Sequence, residues 1–168
     1  AATPALAQQS GPSGWPSLTN DWFGHGAAMR EAGVDLQLEW RQYYQGMTKG
    51  SGDHDPVYGG QFSLKTTLDL SKMGFWDGFS LSTQALAKHG RGLNHVGGAL
   101  LPVNAGLFFP GQHGADRYDL SALFVTQKFS DTISASIGKF YTVEMARGTP
   151  IRGGVGSDAF WHLQFSAP

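Results

Sequence analysis

Charged and amide side chains recur at every second position in several segments of this sequence, with apolar residues between them. Carboxylates accept hydrogen bonds, lysine and arginine donate them, and glutamine does both. A surface with both signs of charge bonds a hydroxyl-rich neutral solute without the one-signed field that selects ions. We interpret the following residues as candidate lining residues of a solute path: Asp35, Gln37, Glu39, Arg41, Gln61, Lys65, Asp69, Gln84, Lys88 and Arg91.

Three residues of a later loop, Glu144, Arg147 and Arg152, are further candidates because they would narrow such a path if the loop folds inward. Phe160 or Trp161 would then stack against a sugar ring. Any water-filled path is polar, so the polar pattern by itself does not specify the solute.

The two-residue period that positions these side chains is the period of a pleated strand. It predicts strands at residues 34–45, 57–70, 79–88, 117–129 and 133–139, and a sixth near residues 160–165. Leu86 and residues 123–125 depart from the alternation. Most of these segments exceed the roughly 5 to 6 residues of a globular strand, and they are long enough to cross a bilayer at a tilt.

The connections between the predicted strands alternate between long and short. Loops at residues 46–56, 90–116 and 141–157 are long, whereas residues 71–78 and 130–132 form short connections. Outer-membrane barrels have short periplasmic turns and extended extracellular loops. We therefore expect the long loops at the outer surface or folded into the mouth, and the short turns on the periplasmic side.

The predicted fold class is all-β: an antiparallel up-and-down transmembrane β-barrel with a short N-terminal helix. The helix is expected at residues 27–32, with N-cap oxygens in residues 19–21 and a left-handed end at Gly33. A closed barrel needs about eight strands or more, and about six are predicted here. We therefore expect residues 34–168 to be the N-terminal part of a larger barrel.

The residues before the first strand read as two segments. Ala5-Leu6-Ala7 has the small-x-small form of a signal-peptidase site, so residues 1–7 are predicted to be a signal-peptide remnant. Residues 8–33 are predicted to be a periplasmic lead-in that carries the short helix.

Composition and motifs exclude several function classes. The chain of 168 residues has a net charge of −1 and no cysteine, so nucleic-acid partners, disulfides and thiolate metal sites are not expected. The six histidines lie in different segments without ligand spacing. Asp53-His54-Asp55 reads as a solvated loop more readily than as a calcium site. No nucleophile elbow or phosphate-binding motif is present, so we expect no metal, no cofactor and no enzymatic chemistry.

Several motifs occur in an order that resembles the carbohydrate-selective porins of the OprB type. They are residues 18–24 (LTNDWFG), 31–34 (EAGV), 68–78 (LDLSKMGFWDG), 88–94 (KHGRGLN), 123–129 (LFVTQKF) and 138–140 (GKF), with a weaker match at Phe160 and residues 167–168. The sequence departs from the family at Phe23-Gly24-His25, where glycine and arginine are more usual, and at Ala122 and Thr126, where acidic residues are more usual.

This resemblance implies a bacterial outer-membrane channel for passive diffusion of small neutral sugars, surrounded by outer-membrane lipid. Whether copies of the chain associate is left open. Three alternatives stand beside this reading: a general or other-nutrient porin of the same fold, a secreted glycan-binding β-sandwich, and an enzyme on a small barrel.

Overall fold

A single antiparallel sheet dominates the computed structural model, which describes residues 19–50, 54–95, 102–108 and 117–141. Its five strands follow one another in chain order, each paired with the next. They are β1 (Val34–Gln45), β2 (Val57–Asp69), β3 (Phe79–Gly90), β4 (Arg117–Lys128) and β5 (Ser134–Lys139). The predicted up-and-down meander is confirmed, and the sheet is not closed within the described residues.

The strand bounds agree with the sequence prediction to within two residues at each end. The predicted first strand is reproduced unchanged, whereas β3 continues to Gly90 because Gly59 pairs with Gly90 at the end of the ladder. The sixth strand predicted near residues 160–165 lies outside the described residues, as do the predicted signal remnant and most of the 141–157 loop.

The sheet has one apolar face, which is exposed, and one polar face, the reverse of a soluble protein. We call the apolar side the outer face and the polar side the concave face, because the polar side is the one that would turn inward in a barrel. One apolar row crosses all five strands through the pairs Val34–Leu68, Leu68–Leu81, Leu81–Val125 and Val125–Ile137. Trp40 is 67% exposed on the outer face, whereas Gln61 and Gln84 are 4% and 6% exposed on the opposite face. A sheet that faces lipid outside and water inside requires this arrangement.

A β-bulge in β4 changes which residues of that strand face outward. Gln84 pairs with Ala122 but Ala85 pairs with Leu120, so Ser121 is an extra residue in the ladder. Its hydroxyl donates to the backbone oxygen of Gln84 at 3.1 Å. A bulge shifts the alternation by one position, and residues after Ser121 therefore follow the opposite parity. This explains why the pattern departs from alternation at residues 123–125.

Two short helical segments precede β1 where the sequence predicted one helix. They are α1 (Asn20–Phe23) and α2 (Gly26–Glu31), and Gly33 ends the second with φ of +89°. All four α1 residues have left-handed backbone angles, with φ between +45° and +60°. The cap predicted for the single helix belongs instead to α1, where the Thr19 hydroxyl accepts from the Trp22 backbone N–H at 3.3 Å. His25 precedes α2 and makes no side-chain cap hydrogen bond.

This N-terminal segment packs on the end of the sheet where the two short turns lie. The Trp22 indole donates to the Leu36 backbone oxygen at 2.9 Å, and the Lys72 ammonium donates to the Arg30 backbone oxygen at 2.8 Å. Gly33 makes the closest approach, because its carbonyl accepts from the Asp69 backbone N–H at 2.7 Å. A side chain at Gly33 would meet the Asp69 backbone. The first strand is thereby fixed at its start.

A bidentate ion pair joins the two short helices. Both guanidinium nitrogens of Arg30 lie 2.8 Å from the carboxylate oxygens of Asp21. The hydrogen bonds from Arg30 hold the pKa of Asp21 below its usual value, and they raise the pKa of Arg30.

Within the described residues, no helix has the length and apolarity to cross a membrane.

Candidate functional site

The concave polar face collects the strand residues that the sequence singled out. By the ladder register, all nine lie on this face: Asp35, Gln37, Glu39, Arg41, Gln61, Lys65, Asp69, Gln84 and Lys88. Arg91 lies apart from them, exposed just beyond β3, where its backbone N–H donates to the Tyr58 oxygen at 2.8 Å. The remaining candidates, Glu144, Arg147, Arg152, Phe160 and Trp161, lie outside the described residues.

One row across the polar face consists of hydrogen-bond donors. Arg41 pairs with Gln61, Gln61 with Lys88, and Lys88 with Arg117. Directly opposed side chains in a ladder have Cβ atoms about 4.5 to 5.5 Å apart, so the row is nearly continuous. The Gln61 carboxamide oxygen has no hydrogen-bond partner within the described part of the chain. A donor-rich row therefore contains one free acceptor.

The next row, two residues along each strand, carries the acceptors. It runs through Glu39, Ser63, Leu86 and Asp119, about 7 Å from the donor row by strand geometry. Glu39 forms an ion pair with Arg41 in the donor row. Ser63 is 2% exposed. Donor and acceptor rows thus lie side by side, at a separation comparable to the width of a sugar ring.

Lateral hydrogen bonds hold several of these side chains in place. The Gln84 amide donates to the Ser63 hydroxyl at 3.3 Å, and the Gln37 amide donates to the Asp35 carboxylate at 3.3 Å. Asp119 accepts from the Lys139 ammonium at 3.3 Å. Because buried polar groups are costly without partners, these bonds permit a polar face to be substantially buried.

A loop segment folds onto the long-loop end of the polar face. It contains a 3-10 turn (Leu93–His95) and the helical turn α3 (Ala105–Phe108). The Lys88 ammonium donates to the Leu107 oxygen at 3.1 Å and lies 3.5 Å from the Phe108 oxygen. The loop prediction allowed either the outer surface or the mouth, and the described part of this loop takes the inward position.

Asn104 joins the two described parts of this loop segment to each other and joins the segment to the sheet. It is fully buried. Its backbone N–H and oxygen bond the side chain of Asn94 at 2.6 and 2.8 Å, while its own amide donates to the Gln45 side-chain oxygen at 3.2 Å. Its carboxamide oxygen accepts from the Leu107 backbone N–H at 3.1 Å. Asn104 therefore caps α3 and ties it to β1.

Aromatic side chains flank the apolar outer face at both ends. At the short-turn end, the rings of Trp76 and Phe79 stack at 4.6 Å, and the Trp76 indole donates to the Gln127 side chain. At the long-loop end, Tyr44, Tyr58 and Tyr118 are 76%, 53% and 85% exposed. Aromatic girdles of this kind mark the two interfaces of a membrane-spanning β-sheet.

Sequence reasoning missed several residues of the polar face. Arg117 and Asp119 alternate with outward-facing Tyr118 and Leu120, so period two was sufficient to find them. Phe124 was not predictable in this way, because the bulge places it on the polar face, where its ring packs against Phe140 at 4.9 Å.

No cluster of histidine, aspartate and glutamate suited to a metal ion occurs in the described ranges.

Comparisons with known proteins give two matches. The model of the family described as carbohydrate-selective porin, OprB family, matches residues 53–153. The fold is similar to a high-pH structure of Pseudomonas putida OprB, with a TM-score of 0.66 and 23% sequence identity, over 86% of this chain and 34% of that chain. The chain therefore spans about a third of the length of that structure. No curated protein matches the chain.

Proposed function

The chain belongs to the carbohydrate-selective porin family OprB, and from that premise we propose that it forms the N-terminal part of a channel for passive diffusion of small neutral carbohydrates such as monosaccharides. The family consists of bacterial outer-membrane proteins, and the observed sheet has the transmembrane β-barrel design of such a porin. A channel of this kind needs no catalytic group, so the proposed function is transport without covalent chemistry.

The observation that carries the proposal is the donor row beside the acceptor row on the concave face. A sugar hydroxyl both donates and accepts, and adjacent hydroxyls on a ring present both roles within a few ångströms. Arg41 and Arg117 supply donors, while Glu39 and Asp119 supply acceptors one row away. The free oxygen of Gln61 adds an acceptor inside the donor row.

The strength of these contacts favours passage over retention. A hydrogen bond that replaces one to water contributes a net of about 0.5 to 1.5 kcal/mol. A few such bonds offset the loss of hydration as the solute enters without trapping it. The face carries both charge signs, so no net field attracts a small ion in preference to a neutral sugar.

We further propose how the chain is divided and oriented. Residues 34–168 form the N-terminal part of the barrel, residues 8–33 are a periplasmic lead-in, and residues 1–7 are a signal remnant. The end with the short turns lies toward the periplasm, and the end with α3 lies toward the cell exterior. The nine strand candidates line the lumen, and Glu144, Arg147 and Arg152 are proposed to narrow it from the 141–157 loop.

Of the three alternative functions, one observation favours the general or other-nutrient porin, and the β-sandwich and the enzyme are disfavoured. The mixed charges of the polar face also suit zwitterionic nutrients, which favours a general or other-nutrient porin as the second candidate. A secreted β-sandwich is disfavoured by the exposed apolar outer face, with Trp40 67% and Ile137 77% exposed. The family and fold are those of a channel, not an enzyme.

Liposome swelling with the complete protein tests the proposal. Monosaccharides are expected to enter faster than amino acids of similar size, since the donor and acceptor rows match hydroxyl groups. A matched series of neutral sugars and zwitterionic amino acids at equal osmolarity makes the comparison direct. Equal rates for the two series would make a general porin the better description.

A further inference from the structure

The segment that carries α3 is attached to the concave face at two points on different strands. Lys88 of β3 bonds the backbone oxygens at the end of α3, and Gln45 of β1 accepts from Asn104 at its start. β2 lies between these strands, and α3 packs against it. The segment therefore lies across three strands of the face at its long-loop end.

The Lys88 ammonium supplies hydrogen-bond donors to the carbonyl oxygens at the end of α3. The last carbonyl oxygens of a helix have no partner within it, and a lysine ammonium offers three donors on a flexible stem. The Leu107 and Phe108 oxygens lie 3.1 and 3.5 Å from the Lys88 nitrogen. Lys88 is buried at 9% exposure. Its charge is therefore directed into the loop segment.

Close packing at the root of the segment supports the same role. A Cβ placed on Gly92 would lie 2.9 Å from the Leu107 Cδ1 and 3.4 Å from the Leu107 Cβ. Glycine at this position lets α3 approach the end of β3. Asn94 meanwhile closes the segment through its reciprocal bonds with the Asn104 backbone.

We propose that Lys88 and Asn104 are positioning residues that fasten the α3 segment to the lumenal wall and thereby set the largest sugar that the channel admits. The inference rests on the proposed function, since it assigns the size limit to that same path. Loss of either fastening releases α3 from the wall, widens the lumen and admits larger saccharides. The other polar side chains of the strands stay in place.

The test compares Lys88→Met with Asn104→Ala in the complete protein, reconstituted in liposomes. Swelling rates are measured with a mono-, a di- and a trisaccharide. Asn104→Ala is expected to raise the trisaccharide rate several-fold over wild type while changing the monosaccharide rate little. Lys88→Met also removes a side chain of the donor row, so its expected result is a several-fold rise in the ratio of the trisaccharide rate to the monosaccharide rate. Lys88→Arg is expected to restore the size limit, because its guanidinium also donates to the α3 oxygens.

A charge control separates fastening from electrostatics. Lys128→Met removes a lysine at the short-turn end, where its ammonium bonds Asp131 at 2.8 Å, and should leave the size limit unchanged. Asn104→Ala changes no charge, so a rise in trisaccharide entry in that variant cannot come from the field of the lumen. Reversal potentials should shift for Lys88→Met and not for Asn104→Ala.

A disulfide provides a second arm that does not depend on the single variants folding well. The Gly92 and Leu107 Cβ positions, 3.4 Å apart, approach the separation of about 3.5 to 4.5 Å found in disulfides. Gly92→Cys with Leu107→Cys, placed in the Lys88→Met background, should exclude trisaccharide when oxidised and admit it when reduced. This inference alone would be overturned if wild type admits monosaccharides normally but the trisaccharide rate does not change. That result would have to hold in Lys88→Met, in Asn104→Ala and on reduction of the disulfide. Failure of wild type to admit monosaccharides would instead count against the proposed function.

Discussion

Leu64 of β2 lies directly opposite Leu38 of β1, and both side chains belong to the apolar outer face. Lys65, the next residue along β2, lies opposite Gln37 on the concave face. Leu64→Arg therefore places a charge against hydrocarbon, whereas Lys65→Leu changes the lumen.

The expected cost of Leu64→Arg is about 2 to 4 kcal/mol if the position lies near the bilayer midplane. Denaturant titration of the complete protein in lipid vesicles measures it as a lower unfolding free energy. Lys65→Leu is the matched neighbour and should fold nearly as well as wild type while its conductance shifts. Equal folding of the two variants would mean that the faces have been assigned wrongly.

The charge balance of the concave face predicts a change in ion preference. Replacing Arg41 and Lys65 together by Gln removes two cations that lie near Asp35 and Glu39. The lumen should then favour cations, because these carboxylates and Asp69 lose nearby opposite charges. Reversal potentials across a bilayer in a salt gradient report the change. Sugar swelling rates should be largely retained, and an unchanged reversal potential would show that these side chains do not line the path.

The left-handed turn α1 predicts a stabilising substitution. Phe23 has φ of +58° and is 80% exposed, so it bears the strain of a left-handed backbone and buries little surface in return. Phe23→Gly should raise the free energy of unfolding by roughly 0.5 to 1 kcal/mol, the relief of strain less the added flexibility of the unfolded chain. Phe129, 68% exposed and without a positive φ, is the control. Phe129→Gly should not stabilise the protein. Destabilisation by Phe23→Gly would contradict the left-handed backbone conformation of α1.

The Asp21–Arg30 ion pair predicts a pH dependence at the N-terminal segment. Since Arg30 lowers the pKa of Asp21, the pair stabilises the folded segment above the usual aspartate pKa, and this contribution is lost as the pH falls through the lowered value. Carbon-13 shifts of the Asp21 carboxyl measure the titration directly. Arg30→Gln should move the midpoint upward, toward the ordinary aspartate value, and an unmoved midpoint would exclude the pairing.

The strands and their two faces were predictable from the sequence because a membrane-spanning sheet imposes period two wherever lipid and water lie on opposite sides. Where the alternation is clean it determines the face of each residue, as for Phe62 and Trp40, which pair on the outer face. The exceptions have local causes. Ser121 adds one residue to β4, and Leu86 is buried at 3% exposure among the acceptor row.

The loop segment on the concave face was beyond such reasoning. Its position depends on contacts between residues far apart in the chain, such as Asn104 with Gln45 and Lys88 with Leu107. Periodicity carries no information on these contacts. The sequence places Asn104 in a predicted loop, and its burial becomes evident only when β1 and β3 are placed in one sheet.

The central claim is that the concave face of this sheet lines a water-filled path and the opposite face contacts lipid. Gln37→Cys and Leu38→Cys test it most directly, because they are adjacent, exposed and on opposite faces, and the 168 residues contain no cysteine. In the complete protein in a bilayer, a water-soluble thiol reagent should react with the Gln37→Cys variant and lower its conductance, while the Leu38→Cys variant should be reached by a lipid-soluble reagent and keep its conductance. Reaction of the Leu38→Cys variant with the water-soluble reagent, together with protection of the Gln37→Cys variant, would contradict the claim.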